Sequence, residues 1–358
     1  SLAYGPDGRL WVAGTEMLAG VDASDPRDVT VGGEVSVAHE GVPDLYATSA
    51  GDLVLVSAGR GGLVLVDGDD VNAPVRLGLD DRTPVVEAEC PDLSAYHDRR
   101  RIAFTIDGVH GTITPFDVSR PEEIVPFEPL ELFAQAPGAL ATADGVPTLF
   151  VAVGEYVYPV DVRSEDPREW RKGREIRLSA PIIDLATDGS TVYATLGDGE
   201  CAVLTWDVDR ELEQTDQIGL PDIGEVSLHG SHLYVAASNR STGFSVVQDL
   251  GRGDAEFEFE VPGDSILAAA IAANDGCIAI AENEWVYVYV HGEPMYQYSI
   301  DAGATWSDWL AAANPGGDTS APTTITAESV PFDQDSGTQN YVRFRAGDAM
   351  GLFSVSTP

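Results

Sequence analysis

Lysine is almost missing from this chain. Lys172 is the single lysine in 358 residues, and every other basic position is arginine. Lysine and arginine together number 20 against 59 Asp and Glu, a formal charge of 20 − 59 = −39. Phosphate binding needs clustered cations, so direct nucleic-acid binding is excluded as a role. Cysteine is also scarce: Cys90, Cys201 and Cys277 are odd in number and far apart, which implies neither a disulfide framework nor a zinc cluster. Each is expected as a small buried hydrophobe. No apolar run approaches the ~20 residues of a membrane span, so membrane insertion is not expected. No segment shows a helical period with caps. The nucleophile elbow, the phosphate loop and the dinucleotide fingerprint are all missing, so the sequence offers no catalytic residue and no cofactor. The chain opens on Ser1-Leu2 rather than methionine, as a mature or trimmed product does, and the lack of a leader is uninformative.

What is present is a globular composition. Apolar residues make up 44% of the chain, too many for a disordered acidic tail. The acidity therefore belongs to the shell of a folded protein. Self-repulsion on this scale opposes compactness at low salt, and molar salt, with a screening length of about 3 Å, removes most of the penalty. The chain resembles proteins of halophilic archaea in this respect.

A phrase recurs along the sequence: Val21-Asp22-Ala23-Ser24-Asp25-Pro26, Val66-Asp67 with Asn72-Ala73-Pro74, Phe116-Asp117-Val118-Ser119-Arg120-Pro121, and Val160-Asp161-Val162-Arg163 with Asp166-Pro167. Weaker echoes stand at Asp207 and Asp249. The markers Asp22, Asp67, Asp117, Asp161, Asp207 and Asp249 are separated by 45, 50, 44, 46 and 42 residues. A period in this range means an array of equal units. Each unit has an apolar segment, an Asp-Gly-type turn and a second strand, as in Ile182 to Ala194 around Asp188-Gly189, a strong hairpin signal. A third, continuously apolar strand such as Leu63 to Val66 follows, as in a strand covered on both faces. A fourth alternates, as in Glu256 to Val261, and its charges suit an outer edge. Four antiparallel strands per unit is the plan of a β-propeller blade. Units beginning near Leu2, Asp44, Leu93, Ala139, Ile182, Gly224 and Leu267 make seven.

Gly62-Leu63-Val64-Leu65-Val66-Asp67 and the following Asn72-Ala73-Pro74-Val75-Arg76-Leu77-Gly78 resemble the LVIVD repeat, as do Gly111 to Pro121 and the first unit. The resemblance covers residues 1 to about 294 and fades over the last three units. It implies a propeller displayed outside the cell and no catalytic residues. Residues 295–358 depart from the repeat and resemble small β-sandwich modules of the fibronectin type III or triple-tyrosine kind. The expected fold is thus all-β: a seven-bladed β-propeller over 1–294 followed by a small β-sandwich-like module over 295–358. Such a short module is expected to lean on the propeller or a partner. Met295 to Ile300 is claimed both by the last blade and by this module. Either the last blade has three strands or the ring is closed by residues outside this chain.

Few residues stand out for chemistry. Ser299, Asp301, Gly303 and Trp306 match the Asp-box, a folded turn whose role is structural. Arg99-Arg100-Arg101 is the one basic run. It is expected as surface arginines paired with carboxylates, or as a contact site for an acidic partner or glycan. His229 and His232 flank a Gly-Ser turn without further ligands. Asp67-Gly68-Asp69-Asp70 is carboxylate-rich, but lacks the spacing of a calcium loop. No metal site is assigned.

The expected role is non-catalytic recognition, adhesion or scaffolding on the surface of a halophilic archaeon, since rigid frames present binding loops. Its partners would be proteins of a larger assembly, including copies of itself, or surface glycans. One alternative is a virion tail or spike protein attaching to such a host. Another is a propeller hydrolase or lyase acting on glycans. The channel lining separates these: converging Arg, His and Tyr favour the enzyme, and small apolar residues oppose it.

Overall fold

The computed structural model describes residues 1–5, 9–14, 17–23, 29–37, 46–81, 84–98, 100–106, 112–130, 138–206, 211–220, 224–229, 232–239, 244–249, 257–261, 268–273, 277–282, 285–290, 295–299, 310–311, 341–347 and 353–355. Beyond residue 220, side chains are described for 226–228, Leu233, Tyr234, Ala279 and Tyr298. The described secondary structure is strand, apart from one 3-10 turn at Pro167–Glu169.

Strands that follow one another in sequence pair antiparallel and build separate sheets. The first holds β1 (Leu2–Tyr4), β2 (Arg9–Ala13), β3 (Met17–Asp22) and β4 (Thr30–Ser36). The second holds β5 (Tyr46–Ala50), β6 (Leu53–Ser57), β7 (Leu63–Asp67) and β8 (Val75–Asp80). The third holds β9 (Glu87–Glu89), β10 (Ile102–Ile106), β11 (Ile113–Asp117) and β12 (Val125–Pro126). The fourth holds β13 (Ala139–Ala141), β14 (Thr148–Val153), β15 (Tyr156–Asp161) and the short β16 (Arg171–Lys172) and β17 (Ile176–Arg177), both paired with β15. The fifth holds β18 (Ile182–Thr187), β19 (Thr191–Leu196), β20 (Glu200–Thr205) and β21 (Glu213–Gly219). The sixth holds β22 (Gly224–His229), β23 (His232–Asn239), β24 (Phe244–Asp249) and β25 (Phe257–Val261). The seventh holds β26 (Ala268–Ala273), β27 (Cys277–Glu282) and β28 (Trp285–Val290). A further sheet orders β30 (Leu310–Ala311), β29 (Met295–Ser299), β31 (Tyr341–Gly347) and β32 (Phe353–Val355).

The first strands of successive sheets are neighbours: β1 with β5, then β9, β13, β18, β22 and β26, which returns to β1. The chain divides into two compact units, Ser1–Asp275 with Ala279–Val288, and Gly276–Ile278 with Tyr289–Pro358.

The apolar core lies between adjacent sheets. Trp11, Leu18, Val54, Val56, Val64 and Val66 pack between the first two. Leu55, Leu65, Ala103 and Phe116 join the second to the third. Phe104, Leu149, Val151 and Trp170 join the third to the fourth, with the Phe104 and Trp170 rings 5.2 Å apart. Phe150, Leu185, Val192 and Leu204 join the fourth to the fifth. Ala279 of β27 packs with Leu2, Leu10 and Val21 of the first sheet. The middle strands β6, β10 and β14 are buried along their whole length because they are covered on both faces.

One sequence expectation meets a different geometry, and one question left open by the sequence is answered among the described residues. The third unit begins at Glu87, not near Leu93. Glu87-Ala88-Glu89 is short and polar, so an apolar pattern passes over it, whereas Leu93 is a buried anchor in the connection that follows. Met295–Ser299 pairs with Tyr341–Gly347 and Leu310–Ala311, and the described seventh sheet has three strands.

Candidate functional site

The connection from β9 to β10 is the exceptional loop. It runs over twelve residues, Cys90 to Arg101, whereas β5 and β6 are joined by Gly51-Asp52 and β18 and β19 by Asp188-Gly189-Ser190. Those short turns rely on glycine at positive φ, +60° at Gly51 and +90° at Gly189. The long loop instead straps three sheets together. Leu93 is buried beside Phe104 and Val151. The Asp92 amide donates to Asp144 Oδ1 at 2.7 Å, and the Gly145 amide donates to the Asp92 carbonyl at 2.7 Å. The His97 ring meets the Val162 carbonyl through Nε2 at 2.8 Å. On the opposite side Arg101 donates to the Ala50 carbonyl.

Two cavities flank this loop. One, of about 770 Å³, is lined by residues of the second, third and fourth sheets, among them Asp92, His97, Asp98, Arg100, Arg101 and Asp144. The other, of about 660 Å³, lies over Phe127, Leu130, Ser164, Glu165 and Arg168, and Arg100 lines both. The Arg100 guanidinium stands 3.5 Å from Asp117 Oδ2, donates to the Glu165 carbonyl at 3.3 Å and lies 5.3 Å from the centroid of the Phe127 ring. His97 is only 5% exposed, and its Nδ1 has no hydrogen-bond partner among the described residues. Arg99 lies outside the described residues. The length of this loop was visible in the sequence only as a larger gap of 50 between Asp67 and Asp117.

The marker aspartates have a local role. Asp67 Oδ1 accepts from the Asp69 amide at 3.1 Å, Asp117 Oδ1 from the Ser119 amide at 3.0 Å and its hydroxyl at 2.6 Å, and Asp161 Oδ1 from the Arg163 amide at 3.1 Å. Each is an Asx turn that bends the chain as it leaves the third strand of a sheet. Asp22 ends β3 in the same position. Asp207 and the side chain of Asp249 lie outside the described residues. In the acidic loop, Asp70 Oδ1 likewise accepts from the Asn72 amide at 2.9 Å, and the carboxyl of Asp69 is raised by its neighbour Asp52. Among the described residues no group of three His, Cys, Asp or Glu is placed to hold a metal ion. His229 and His232 are backbone partners at the closing end of the β22–β23 hairpin. Ser299 is the last residue of β29, while Asp301, Gly303 and Trp306 lie outside the described residues.

A second feature was missed by sequence reasoning. The first strands carry carboxylates that bond to the next sheet. Glu87 Oε1 accepts from the Leu140 amide at 2.7 Å, and Glu89 Oε2 from the Thr142 hydroxyl at 3.1 Å. Asp184 Oδ2 accepts from the Val226 amide at 2.9 Å and its Oδ1 from the Leu185 amide at 2.8 Å. They satisfy groups at the edge of a neighbouring first strand, where no further strand pairs. Burial pushes Glu89 up to about 7, with nearby Asp184 and Asp144 adding to the rise, and burial pushes Asp184 up to about 6. Strands β1, β5, β9, β13 and β18 contain neither arginine nor histidine, while β1 and β5 each hold a tyrosine, Tyr4 and Tyr46, and β22 ends on His229. Cys90 and Cys201 are free and buried, their thiols pushed up by burial to about 11 and about 12.

No family model matches the chain, and no curated protein matches it. Among solved structures it is similar to the β-propeller domain of Cps50 (Swd1) from Myceliophteria thermophila, with a TM-score of 0.57 and 14% identity over 79% of this chain and 92% of that one. No described helix is long and apolar enough to cross a membrane. Four-stranded antiparallel sheets in sequence order, first strands that neighbour one another in a closed cycle, cores between sheets and this likeness together establish the fold: the chain is an all-β protein with a β-propeller.

Proposed function

We propose that this chain is a non-catalytic recognition or scaffolding protein, a seven-bladed propeller of LVIVD-like repeats followed by a small β module. The observation that carries the reading is the Cys90–Arg101 strap. It ties three blades together, holding Arg100 between two cavities and Arg101 against the larger one. A propeller supplies a rigid frame for such loops, and fixed loops on rigid frames bind without needing to be ordered first. The carboxylates of the inner strands argue for the same class. Glu87, Glu89 and Asp184 are each engaged in bonds between blades, so their acidity serves the ring rather than a substrate.

The setting we infer is a salt-rich exterior, on the surface of a halophilic archaeon. Its support is the charge of −39 with a single lysine. A tail or spike protein of a virus of such a host is the second reading, since the same charge pattern suits any protein exposed to that medium. The test is native mass and shape in about 3 M KCl, where the screening length is at most about 3 Å. A large symmetric assembly is the expected outcome for a structural or attachment subunit. A clean monomer would remove the assembly reading and leave a binder acting alone.

A further inference from the structure

We propose that the outer rim of the fourth and fifth blades is a self-association surface, on which a second copy of this chain docks across a two-fold axis. This rests on the reading of the chain as a scaffolding protein and names one surface and one partner of that assembly.

Each blade has an outer segment that runs from its marker aspartate to the end of its last strand. Residues 22–36, 67–80, 117–126, 207–219 and 249–261 each hold three to five carboxylates and a single basic residue, in turn Arg27, Arg76, Arg120, Arg210 and Arg252. Residues 161–177 hold five carboxylates and six basic residues: Arg163, Arg168, Arg171, Lys172, Arg174 and Arg177. The fourth segment has no more acid to neutralise than the fifth or the sixth, yet it carries five more cations. Balancing its own carboxylates does not account for them.

Contacts within the chain leave this edge open. Arg163 pairs with Asp161, Arg168 with Glu128, Arg174 with Glu211 and Arg177 with Glu155, while the four arginine side chains stay 51–74% exposed. Ion pairs so exposed hold weakly, and a guanidinium with five N–H donors is not used up by one carboxylate. The Arg171 guanidinium donates to the Arg168 and Trp170 carbonyls, and the Lys172 ammonium lies 4.7 Å from the Tyr158 ring centroid. Both residues are exposed on β16, at the outer side of the fourth sheet.

The neighbouring rim has the opposite sign. Six of the seven residues of β21 are exposed, and its Glu213 and Asp216 enter no ion pair among the described residues. The fourth and fifth sheets share a core, and the Arg174–Glu211 pair spans their outer sides. A two-fold axis between the two rims sets each copy's basic edge against its partner's acidic edge, and does so twice. The patch is thus self-complementary, as an isologous dimer requires. Charge of one sign guards an edge strand against other strands. Adjacent edges of opposite sign instead attract their own rotated image and fix its register. A site for an unrelated acidic protein needs the basic edge alone; the exposed acidic strand beside it favours a second copy. Two chains of charge −39 repel at a distance, and about 3 M salt confines that repulsion to about 3 Å or less, the range of direct contact.

The experiment is light scattering of the full chain in about 3 M KCl, with two charge-reversed variants. The unaltered chain is expected at twice 38.0 kDa or a larger even multiple. Arg171→Glu with Lys172→Glu, and separately Glu213→Arg with Asp216→Arg, are each expected to weaken self-association at least about tenfold without moving the thermal midpoint. An equimolar mixture of the two variants is expected to associate again, because each then presents what the other lacks. Arg171→Gln with Lys172→Gln should weaken association in the same direction and by less, and it carries the test if a reversal does not fold. Association that no substitution weakens overturns the inference, and so does a mixture that stays monomeric. A large assembly indifferent to all three variants would keep the scaffold reading and remove this surface. A monomeric unaltered chain would remove both the surface and the assembly.

Discussion

Single side chains in this molecule are spent on joints. Asp117 holds the Ser119 amide and hydroxyl and faces Arg100. Asp117→Ala is expected to cost about 1–2 kcal/mol in urea or guanidinium unfolding, the worth of a few hydrogen bonds at a turn. Asp117→Asn retains the Oδ1 acceptor and should recover most of that loss. The carboxyls of Glu89 and Asp184 give the pH dependence. Their unfolded values are near 4.5 and 3.8, and burial holds them at about 7 and about 6 in the fold. The native state therefore retains protons that the unfolded chain has released, and stability falls as pH rises through these values. The thermal midpoint is expected to be higher at pH 5.5 than at pH 8. Glu89→Gln, which keeps an acceptor for Thr142, should flatten that slope; an unchanged slope would remove Glu89 as its source. The two buried thiols bear on accessibility. With Cys90 and Cys201 raised to about 11 and about 12, neither should react with a maleimide at pH 8 until the chain unfolds, as peptide mapping by mass spectrometry would read.

Elements are matched to one another through glycine. In β8 a Cβ built on Gly78 would stand 2.0 Å from the Pro121 carbonyl oxygen of the next blade's loop. Gly32 and Gly33 of β4 meet Val71 and Asn72 of the following blade in the same way, each at 2.4 Å. An outer strand thus seats the loop that follows its neighbour's marker aspartate. Gly78→Val is expected to destabilise by about 2 kcal/mol or more, at the upper end of overpacking costs, or to abolish folding, whereas Gly138→Ala, where the space is open, should be nearly silent. This scale also shows what the sequence could reveal. The hairpin around Asp188-Gly189 and the apolar strand Leu63–Asp67 were legible because turn chemistry and burial write themselves locally. The three residues of β9 were not, since Glu87 and Glu89 are fixed by partners at Leu140 and Thr142, more than fifty positions away. Arg100 was legible as part of a basic run, but its place between two cavities depends on Glu165 and Phe127, which no spacing rule connects to it.

At the level of the whole molecule, charge and closure dominate. With 59 acidic residues and 20 basic ones, mutual repulsion adds to the chain entropy that opposes compactness, and it acts over a distance that salt controls. Raising KCl from about 0.1 M to about 3 M shortens the screening length from about 10 Å to 3 Å or less, and the thermal midpoint is expected to rise steeply over that range. A flat or falling midpoint would contradict a salt-adapted shell. Among the described residues, every pairing in the sheets up to residue 290 joins strands close in sequence, and β26 and Ala279 pack against the first sheet. The repeat is in consequence a unit of inheritance as well as of structure. Duplication or loss of a segment of about 45 residues, the usual length of a blade, severs no ladder and leaves each remaining hairpin intact. Descendants of such a chain can change the circumference of the ring in single steps, and the Cys90–Arg101 strap, set by three consecutive blades, would survive any step taken elsewhere.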